Sequence, residues 1–374
     1  MKRRLRMGMA GGGVGAFIGE VHRKAARMDG YVDIVAGAFS TDPKKTAQTG
    51  RELGLDPARC YATYGEMLAA ERRLPKGERI DFVSICTPNE SHFAIAKACL
   101  EAGFHVMCEK PMTLTVAEAE ELERLVKKTH LVFGLMHTYT GYPMVKLARD
   151  LIRKGELGKI DKIVLEYQQG SFRKPNRRIN NWKMDPKIAG PSCVLADLGV
   201  HAFTLIEYVT GLEVETLLAD VSTYGNDAGL DDDASVLMRL TEGAKASLVT
   251  SKVATGEENG VRLRVYGEKA SLYWDQEVPN YVTVRYPSEP DRIYRRKGLY
   301  VGDVSPASLA ASRFPAGHHE GFVEAFANIY DGFVSAVRSR SSEDFPGARE
   351  GIRSMRFVKA ALDSAHAGSV WVTL

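Results

Sequence analysis

Cysteine is scarce in this sequence, and its five positions show no pattern typical of a metal site or a disulfide framework. An odd count without a Cys-x-x-Cys pair excludes a zinc ribbon and a disulfide-stapled fold. Such cysteine usage is typical of a reducing compartment, so we expect a cytoplasmic protein. The positions are Cys60, Cys86, Cys99, Cys108 and Cys193.

Excess charge and long apolar runs are also missing. The net charge of +3, from 50 basic and 47 acidic residues, is too small to indicate a nucleic-acid or anionic-membrane partner. No apolar run reaches the roughly 18 residues that a membrane-spanning helix needs. Lys2-Arg3-Arg4 precedes an apolar stretch, as in a secretory signal, but the glycines between Gly8 and Gly15 favour a strand that enters a turn.

The chain is long enough for two domains. With 374 residues, of which 44% are hydrophobic, it exceeds the size at which a single core stops growing. Residues 5–135 alternate short apolar runs with amphipathic stretches, which predicts an α/β domain over residues 1–137 with a parallel sheet covered on both faces. The predicted strands are 5–10, 32–39, 81–86, 105–108 and 131–136, and the predicted helices are 19–28, 43–53, 91–102 and 115–129.

Residues 138–374 follow a different pattern, typical of an α+β domain. After a helix predicted over 144–154, Val261, Leu263 and Val265 alternate with polar neighbours, and segments 236–240, 246–253 and 281–286 do the same. This periodicity predicts a large, mainly antiparallel sheet with one open face. Residues 294–315 are predicted to form an irregular basic surface loop. Helices predicted over 322–333 and 351–365 could pack back on the first domain.

The first predicted strand runs directly into a glycine-rich stretch, Gly11-Gly12-Gly13-Val14-Gly15-Ala16-Phe17-Ile18-Gly19. A diphosphate needs a turn without side chains, because backbone N–H groups and a helix N-terminus must approach it. Gly11 and Gly13 match the first two glycines of a dinucleotide fingerprint. The third is Ala16 at standard spacing, or Gly19 with three residues inserted. Ordinary tight turns also use glycine, but the position after a first strand favours a cofactor.

The end of the second strand should contact the adenosine ribose of such a cofactor. An acidic residue there favours NAD, whereas a small polar residue with a nearby base favours NADP. The sequence Ser40-Thr41-Asp42 places its only acid late in the turn, and Ser40 and Thr41 with Lys44 nearby could admit a 2′-phosphate. Both cofactors therefore stay open at this position.

Polar motifs follow the third and fourth predicted strands. These are Thr87-Pro88-Asn89 and Glu109-Lys110-Pro111. Open α/β sheets bind ligands at the carboxyl ends of their strands, where both motifs lie. Proline holds the preceding lysine in an extended or turn conformation, and the bond between them could be cis. Taken alone, Lys110 could equally be a solvated surface lysine.

A third motif, Asp197-Leu198-Gly199-Val200-His201, lies in the second half of the chain. If a helix begins there, Asp197 and His201 are four residues apart and share one face. The pair could also be a helix-start aspartate with a core-packed histidine, or two metal ligands. His318 and His319 are the only candidates for further ligands, so we expect no metal.

The ordered set of these motifs resembles the glucose–fructose oxidoreductase, inositol dehydrogenase and rhizopine-catabolism (Gfo/Idh/MocA) family. The matching residues are the glycine-rich loop, Thr87-Pro88-Asn89-x-x-His92, Glu109-Lys110-Pro111 and Asp197-x-Gly-x-His201. The resemblance covers the whole chain, because the family combines a Rossmann dinucleotide-binding domain with an antiparallel second domain. The extended loop 11–19, Val21-His22-Arg23 and Tyr139-Thr140-Gly141-Tyr142-Pro143 are similar to a subgroup that includes levoglucosan and glycoside 3-dehydrogenases.

The resemblance implies roles for matching residues. Lys110 would contact the reacting hydroxyl and the nicotinamide ribose or carboxamide, His201 would be the general base, and Asp197 would orient the substrate or the imidazole. Trp182-Lys183 stands where the family often has Trp-Arg, and the lysine lacks the bidentate fork of arginine. The residues expected to bind NAD, with NADP left open, are Gly11, Gly13, Val14, Gly15, Phe17, Ile18, Ser40, Thr41, Thr87, Pro88, Asn89, His92, Glu109, Lys110 and Trp182. The residues expected to bind substrate are Lys110, Tyr139, Gln169, Lys183, Asp197, His201 and His318.

The activity that follows is hydride transfer between a nicotinamide cofactor and a secondary hydroxyl of a sugar, glycoside, anhydrosugar or inositol. Hydride leaves a carbinol carbon only as the hydroxyl proton departs, so the site needs a base and a cation beside the developing alkoxide. An imidazole, with an ordinary pKa of about 6.5, suits the first task, and a lysine suits the second. No arginine cluster marks a phosphorylated sugar, although Lys183 and the basic stretch 173–178 keep that substrate open.

Two other functions compete with this one. The chain could be a non-catalytic regulator that binds cofactor and sugar, or a metal-dependent hydrolase that uses Asp197, His201 and His318. Loss of Lys110 and His201 would favour the regulator, but both are present. The family resemblance further implies a homodimer or homotetramer that packs through the open face of the antiparallel sheet.

Overall fold

The structure is a computed structural model, and it describes residues 3–173, 182–224, 229–339 and 344–374. The chain divides into two compact units, residues 1–137 with 323–352 and residues 138–322 with 353–374. The chain thus leaves the first unit at His137 and returns to it for residues 323–352. Within the described ranges, no helix combines the length and the apolar character needed to cross a membrane.

The first unit begins with five strands separated by helices. The strands are β1 Leu5–Gly11, β2 Val32–Ala38, β3 Phe82–Cys86, β4 His105–Cys108 and β5 Phe133–Leu135, and the helices are α1 Phe17–Arg27, α2 Pro43–Leu53, α3 Tyr64–Arg73, α4 His92–Glu101 and α5 Val116–Thr129. All strand pairs are parallel, in the order β2-β1-β3-β4-β5. Every residue of the central strand β3 is buried, as in a sheet covered on both faces. The predicted Rossmann sheet is confirmed, and α3 is an additional helix.

The second unit is built on a nine-stranded sheet. Its strands are β6 Ile160–Gln168, β7 Val214–Ser222, β8 Asp233–Leu240, β9 Lys245–Ser251, β10 Gly260–Gly267, β11 Ser271–Asp275, β12 Tyr281–Arg285, β13 Arg292–Arg295 and β14 Val372–Thr373. Their order is β13-β12-β11-β10-β6-β9-β8-β7-β14, and only β6 and β9 pair in parallel. In β8, exposed and buried residues alternate. The predicted mainly antiparallel sheet, with apolar residues on one face, is therefore confirmed.

Seven further α-helices follow among the residues that the structure describes. They are α6 Pro143–Arg153, α7 Pro186–Ala189, α8 Val200–Thr210, α9 Val301–Val304, α10 Pro306–Ala310, α11 Phe322–Ser339 and α12 Ala348–His366. The prediction of an irregular loop over 294–315 is wrong in part, since α9 and α10 lie within it. Arg296 is buried there and donates to the Glu320 carboxylate at 2.7 Å. The buried, paired guanidinium group of Arg296 stabilises this segment. The basic composition of the segment does not predict such a contact.

Candidate functional site

The loop between β1 and α1 is formed by glycines at positions that exclude side chains. Gly11 and Gly12 have φ values of 75° and 71°, in the left-handed region that favours glycine. A Cβ atom on Gly19 would lie 2.2 Å from the Gly12 carbonyl oxygen and 2.3 Å from the Gly12 Cα. The third glycine of the fingerprint serves this close packing of helix on strand. Gly19 therefore fills the third position, and Ala16 is the N-cap residue of α1.

The loop and the start of α1 fit a dinucleotide diphosphate. The side-chain-free loop opens onto the N-terminus of an eleven-residue helix, the combination that binds phosphate groups in Rossmann folds. Two hydrogen bonds also hold the loop in place. The Val14 N–H donates to Thr49 Oγ1 at 3.0 Å, and the Gly13 N–H donates to the Phe39 carbonyl at 3.1 Å. Phe17, the first residue of α1, is exposed.

Replacing Gly19 by alanine should weaken cofactor binding strongly. The new methyl group would collide with backbone atoms, which cannot rotate away as a side chain could, so α1 must shift relative to β1. Overpacking of this kind costs about 1–3 kcal/mol or more. We expect the dissociation constant of NADH, measured by fluorescence titration, to rise by about tenfold or more, since 1.4 kcal/mol corresponds to a factor of ten.

The matched control is Gly65→Ala in α3. There an added Cβ would have its nearest neighbour, Thr63 Oγ1, at 3.9 Å, so NADH affinity should stay within about twofold of the wild-type value. Equal affinities of the Gly19→Ala and wild-type proteins would contradict the assignment of Gly19 to the third position.

At the end of β2, the acidic side chain is committed to a helix cap. Asp42 Oδ1 accepts from the Lys44 N–H at 2.9 Å, at the N-terminus of α2. The Ser40 hydroxyl accepts from the Asp42 N–H at 3.1 Å. Thr46 Oγ1 in turn contacts both the N–H and the carbonyl group of Ser40, each at 3.0 Å. The contacts of Ser40 and Thr41 with a cofactor ribose stay a prediction.

His92 ties together the loops that follow β3 and β4. Its Nδ1 lies 2.7 Å from the Pro111 carbonyl oxygen and its Nε2 lies 2.9 Å from the Thr87 carbonyl oxygen. The ring is buried, and burial lowers its pKa although both hydrogen bonds raise it. His92 thus connects the two motifs through main-chain groups. A contact of His92, Pro88 or Asn89 with the cofactor stays a prediction.

The charge of Lys110 lowers the pKa of two buried side chains of the first unit, Glu109 and His137. The peptide bond between Lys110 and Pro111 is cis, and the Lys110 N–H donates to Glu109 Oε2 at 3.1 Å. Burial and the Lys110 cation lower the pKa of His137 to about 3, so the His137 ring is neutral at neutral pH. His137 follows β5 and was not predicted as a site residue. Its only sequence signal is its place at the carboxyl end of a parallel strand.

Asp197 lies between two ammonium groups in the second unit. Its Oδ2 accepts from Lys252 Nζ at 2.6 Å and from Lys183 Nζ at 2.7 Å. The Lys252 side chain is only 4% exposed, whereas that of Lys183 is 35% exposed. Charge-assisted contacts of this length hold a carboxylate in its ionised form. The predicted acid is thus positioned as a fixed anion, and Lys252 is a site residue that the sequence analysis missed.

The backbone around Asp197 forms a π-helical turn, Leu195–Gly199, which leads into α8. Such turns are rare and are frequent at functional sites. The buried carboxylate of Asp231 caps this turn, because it accepts from the N–H groups of Cys193 at 2.6 Å and Leu195 at 2.9 Å. Asp197 and His201 therefore lie at the start of one helical segment whose N-terminus is held by a buried acid.

His201 packs edge-on against an aromatic side chain. Its ring is 8% exposed, and its centroid lies 5.1 Å from that of Tyr139 and 6.4 Å from that of Tyr167. The two tyrosine hydroxyl groups are 2.6 Å apart. Burial raises the pKa of Tyr139 to about 12. Tyr139 is therefore a neutral phenol at neutral pH, which leaves the imidazole as the better proton acceptor of this pair.

The other residues predicted to bind substrate are Gln169, Lys183 and His318. Gln169 donates to Asn259 Oδ1 at 2.8 Å, and Asn259 Nδ2 donates to the Tyr139 hydroxyl at 3.2 Å, so Gln169 and Tyr139 share one polar network. Lys183 Nζ lies 5.8 Å from the centre of the Trp182 ring. His318 is exposed, in a segment whose main chain is held by Arg296. Of the basic stretch 173–178, residues 174–178 lie outside the described residues.

Within the described parts of the chain, no group of three or more His, Cys, Asp and Glu side chains could hold a metal ion. The two lysines on Asp197 are also unfavourable neighbours for a cation. The metal-dependent hydrolase considered from the sequence is therefore not favoured by this arrangement.

Comparison with known proteins identifies both halves of the chain. Residues 5–137 match the family model described as "Oxidoreductase family, NAD-binding Rossmann fold". Residues 145–273 match the model described as "GFO/IDH/MocA C-terminal domain".

Similar proteins include two bacterial relatives and a solved structure. An uncharacterized oxidoreductase of Bacillus subtilis, YfiI, is 37% identical over 98% of this chain and 96% of its own length. A levoglucosan dehydrogenase of Pseudarthrobacter phenanthrenivorans is 28% identical over 83% of this chain and 84% of its own. An inositol dehydrogenase homolog of Azotobacter vinelandii, crystallised with NADH and myo-inositol, is 34% identical with a TM-score of 0.93, covering 100% of this chain and 98% of that protein.

Proposed function

The chain belongs to the Gfo/Idh/MocA family of NAD-binding oxidoreductases, and from that premise we propose that it is an NAD-dependent dehydrogenase of a sugar or cyclic polyol. The reaction is hydride transfer between the nicotinamide and a carbon that bears a secondary hydroxyl group. Lys110, Asp197 and His201 are its catalytic residues. The observation that carries this proposal is the Asp197–His201 pair at one capped helix start, in a chain whose other unit holds a dinucleotide cradle.

The cofactor in this proposal is NAD, held at its diphosphate by the loop 11–15 and the start of α1. NAD supplies the hydride acceptor when it is bound. The matched Rossmann model is described as NAD-binding, and the similar Azotobacter protein was crystallised with NADH. The absence of a free acid at the end of β2 leaves NADP as a weaker second cofactor.

His201 is assigned as the general base for the departing hydroxyl proton. The neutral phenol of Tyr139 packs against its ring and is a poor competitor for that proton because its pKa is about 12. Asp197 cannot act as a base of comparable strength, since two lysines hold it as a stabilised carboxylate. Its assigned role is to orient the substrate or the imidazole.

Lys110 is assigned to the oxygen on which negative charge develops. The main chain at Lys110 is fixed by its N–H, which donates to Glu109 Oε2 at 3.1 Å. A lysine cation stabilises a developing alkoxide through a charge-assisted hydrogen bond. Tyr139, Gln169 and Lys183 are assigned to the polyhydroxylated substrate, with the Tyr139 ring as a platform and the polar groups as hydrogen-bonding partners.

The substrate class is the part of this proposal that most needs a direct test. The purified protein should be incubated with NAD or NADP and a panel of inositols, hexoses, anhydrosugars and glycosides, and the absorbance of the reduced cofactor followed. We expect turnover with at least one ring polyol, and faster turnover with NAD than with NADP.

A fluorescence titration with NADH serves as the control that the cofactor site is formed. A protein that binds NADH but oxidises no member of the panel with either cofactor would contradict the proposed activity. That result would instead favour the non-catalytic regulator, which no residue of the described site favours at present.

We also propose a homo-oligomeric assembly and a cytoplasmic location. Exposed apolar residues on β8, β10, β12 and β13 fit a homodimer or homotetramer that packs through the sheet: Leu237, Tyr266, Tyr281 and Ile293. A cytoplasmic location rests on the cysteine usage described above.

A further inference from the structure

A buried carboxylate lies directly before Lys110, and its contacts join three parts of the first unit. Glu109 is 7% exposed. One carboxylate oxygen, Oε1, lies 2.8 Å from His22 Nε2, and the other, Oε2, accepts from the Lys110 N–H at 3.1 Å. The Glu109 N–H donates to the Ile85 carbonyl at 3.0 Å. The main chain at Lys110 is thus attached to the imidazole of His22 through a single side chain.

The second nitrogen of His22 is held as firmly as the first. Nδ1 lies 2.7 Å from the Tyr330 hydroxyl and 3.3 Å from Ser84 Oγ, and these two hydroxyl groups are 2.9 Å apart. The ring of Phe326 packs edge-on against His22 with centroids 5.2 Å apart. Helix α1 contributes His22, β3 contributes Ser84, and α11 contributes Tyr330 and Phe326. The imidazole therefore has one orientation that satisfies both of its nitrogens.

His22 and Glu109 are placed to form a buried ion pair, with Nε2 and Oε1 2.8 Å apart. Burial by itself would lower the pKa of His22, but its neighbours Cys86, Tyr330 and Glu109 together hold that pKa above its ordinary value. Burial would raise the pKa of Glu109, but the hydrogen bond from His22 and the charges of His22 and Lys110 hold it below its ordinary value. Buried ion pairs are often no more stable than apolar packing, so they are poor evidence for stability alone. Their better-attested use is to specify one arrangement.

Helix α1 also carries the packing glycine of the cofactor loop. Gly19 contacts Gly12, and His22 lies one turn further along the same helix. On the other side of Lys110, the Pro111 carbonyl accepts from His92 at 2.7 Å. The Lys110 loop is consequently held from both sides, and one of the two attachments leads to the helix that faces the cofactor diphosphate.

From this geometry we propose that His22 is a positioning residue for Lys110. Through Glu109 it sets the place of the Lys110 main chain relative to α1, so that the helix that binds the cofactor also fixes the lysine that stabilises the reacting oxygen. The catalytic part of this inference rests on the proposed dehydrogenase function. The ion pair itself is a property of the chain and can be tested without a substrate.

The kinetic test compares His22→Gln and Glu109→Gln with Glu71→Gln. Glu71 is another buried carboxylate of the same unit that pairs with Arg59 at 2.6 Å, but it belongs to no part of the proposed site. In the two site variants we expect the single-turnover rate of hydride transfer to fall by tenfold or more. In His22→Gln, KM for the sugar and the NADH dissociation constant should change by less than threefold. In Glu71→Gln we expect a lower melting temperature and an unchanged transfer rate.

Transfer rates of His22→Gln and Glu109→Gln equal to that of Glu71→Gln would overturn the inference, since the pair would then be merely structural. If His22→Gln does not fold, Tyr330→Phe replaces it. That variant keeps the ring and removes the hydroxyl contact with Nδ1, and a transfer rate equal to the wild-type rate would likewise overturn the inference. A wild-type protein without activity on any polyol would instead refute the proposed function and leave the next test in place.

The second test measures the free energy of unfolding of the cofactor-free protein from pH 6 to 9. A histidine whose folded pKa is raised stabilises fully below its unfolded pKa of about 6.5, and this stabilisation is lost as pH rises through the folded pKa. The titratable groups that face His22 are Glu109 after β4, Cys86 on β3 and Tyr330 on α11. The stability difference between the wild type and His22→Gln should therefore shrink steadily above pH 6.5. A difference independent of pH would show that His22 carries no charge and would overturn the ion pair.

Discussion

Lys110→Met is expected to abolish nearly all turnover while the protein keeps its fold. Methionine has a similar length but cannot donate a hydrogen bond to a developing alkoxide. Removal of one such donor typically lowers kcat by about 10²–10³-fold. The loop itself should persist, because main-chain contacts hold it: the Lys110 N–H donates to Glu109 Oε2, and the Pro111 carbonyl accepts from His92. Steady-state kinetics on the best polyol from the panel would measure the loss.

The matched control for this change is Lys127→Met on α5. Lys127 forms only a surface pair with Glu123, at 2.9 Å with a 68% exposed side chain, and should be replaceable without effect. Lys110→Arg adds a second comparison, since it keeps the charge but changes the geometry. A Lys110→Met enzyme that retains more than a tenth of the wild-type kcat would exclude Lys110 from the charge-stabilising role.

His201→Asn should have an effect of the same order through a different step. A positioned general base contributes about 10²–10⁴-fold, and asparagine fills part of the same space without accepting a proton at neutral pH. The sign of the pH dependence follows from the role. A base must be unprotonated to act, so kcat/KM for polyol oxidation by the wild type should fall as pH drops below the imidazole pKa. That acidic limb should be missing from the residual activity of His201→Asn.

Tyr139→Phe distinguishes the imidazole from the phenol beside it. Phenylalanine keeps the edge-on packing against His201 but removes the hydroxyl that contacts Tyr167 and Asn259. If His201 is the base, this variant should lose less than tenfold in kcat and should keep the acidic limb of the pH profile. The assignment of His201 would have to be abandoned if Tyr139→Phe lost the limb and His201→Asn kept it.

Local sequence was enough to predict those parts of the site whose residues lie within a few positions of one another. The glycine-rich turn, the motif before Pro111 and the Asp197–His201 spacing each depend on a single strand end or helix start. Even so, local pattern could not decide between Ala16 and Gly19 as the third glycine. The answer depends on how closely α1 approaches β1, and only the contact of Gly19 with the Gly12 backbone shows it.

The residues that the sequence analysis missed are distant in the chain from the groups they serve. Lys252 and Asp197 are 55 positions apart in the chain, and Lys252 directly follows β9, where the sequence marks it only as the end of a strand. Asp231 caps the turn before α8 from a separate segment. His137 had no companion in sequence to mark it. The role of each residue depends on the strand order, which brings two separate segments of the chain together.

What the sequence determined by itself is the class of each half of the chain and the chemistry of its short motifs. Hydrophobic periods of two and of about 3.6 residues dictate strands and helices, and glycine, proline and the titratable side chains act over a few residues. The tertiary structure alone decided which charges meet. His22 and Tyr330 are 308 positions apart and come within 2.7 Å only because α11 returns to the parallel sheet. Such pairs follow from long-range packing. Because the free energy of this packing is shared over many residues, no single motif predicts such a pair.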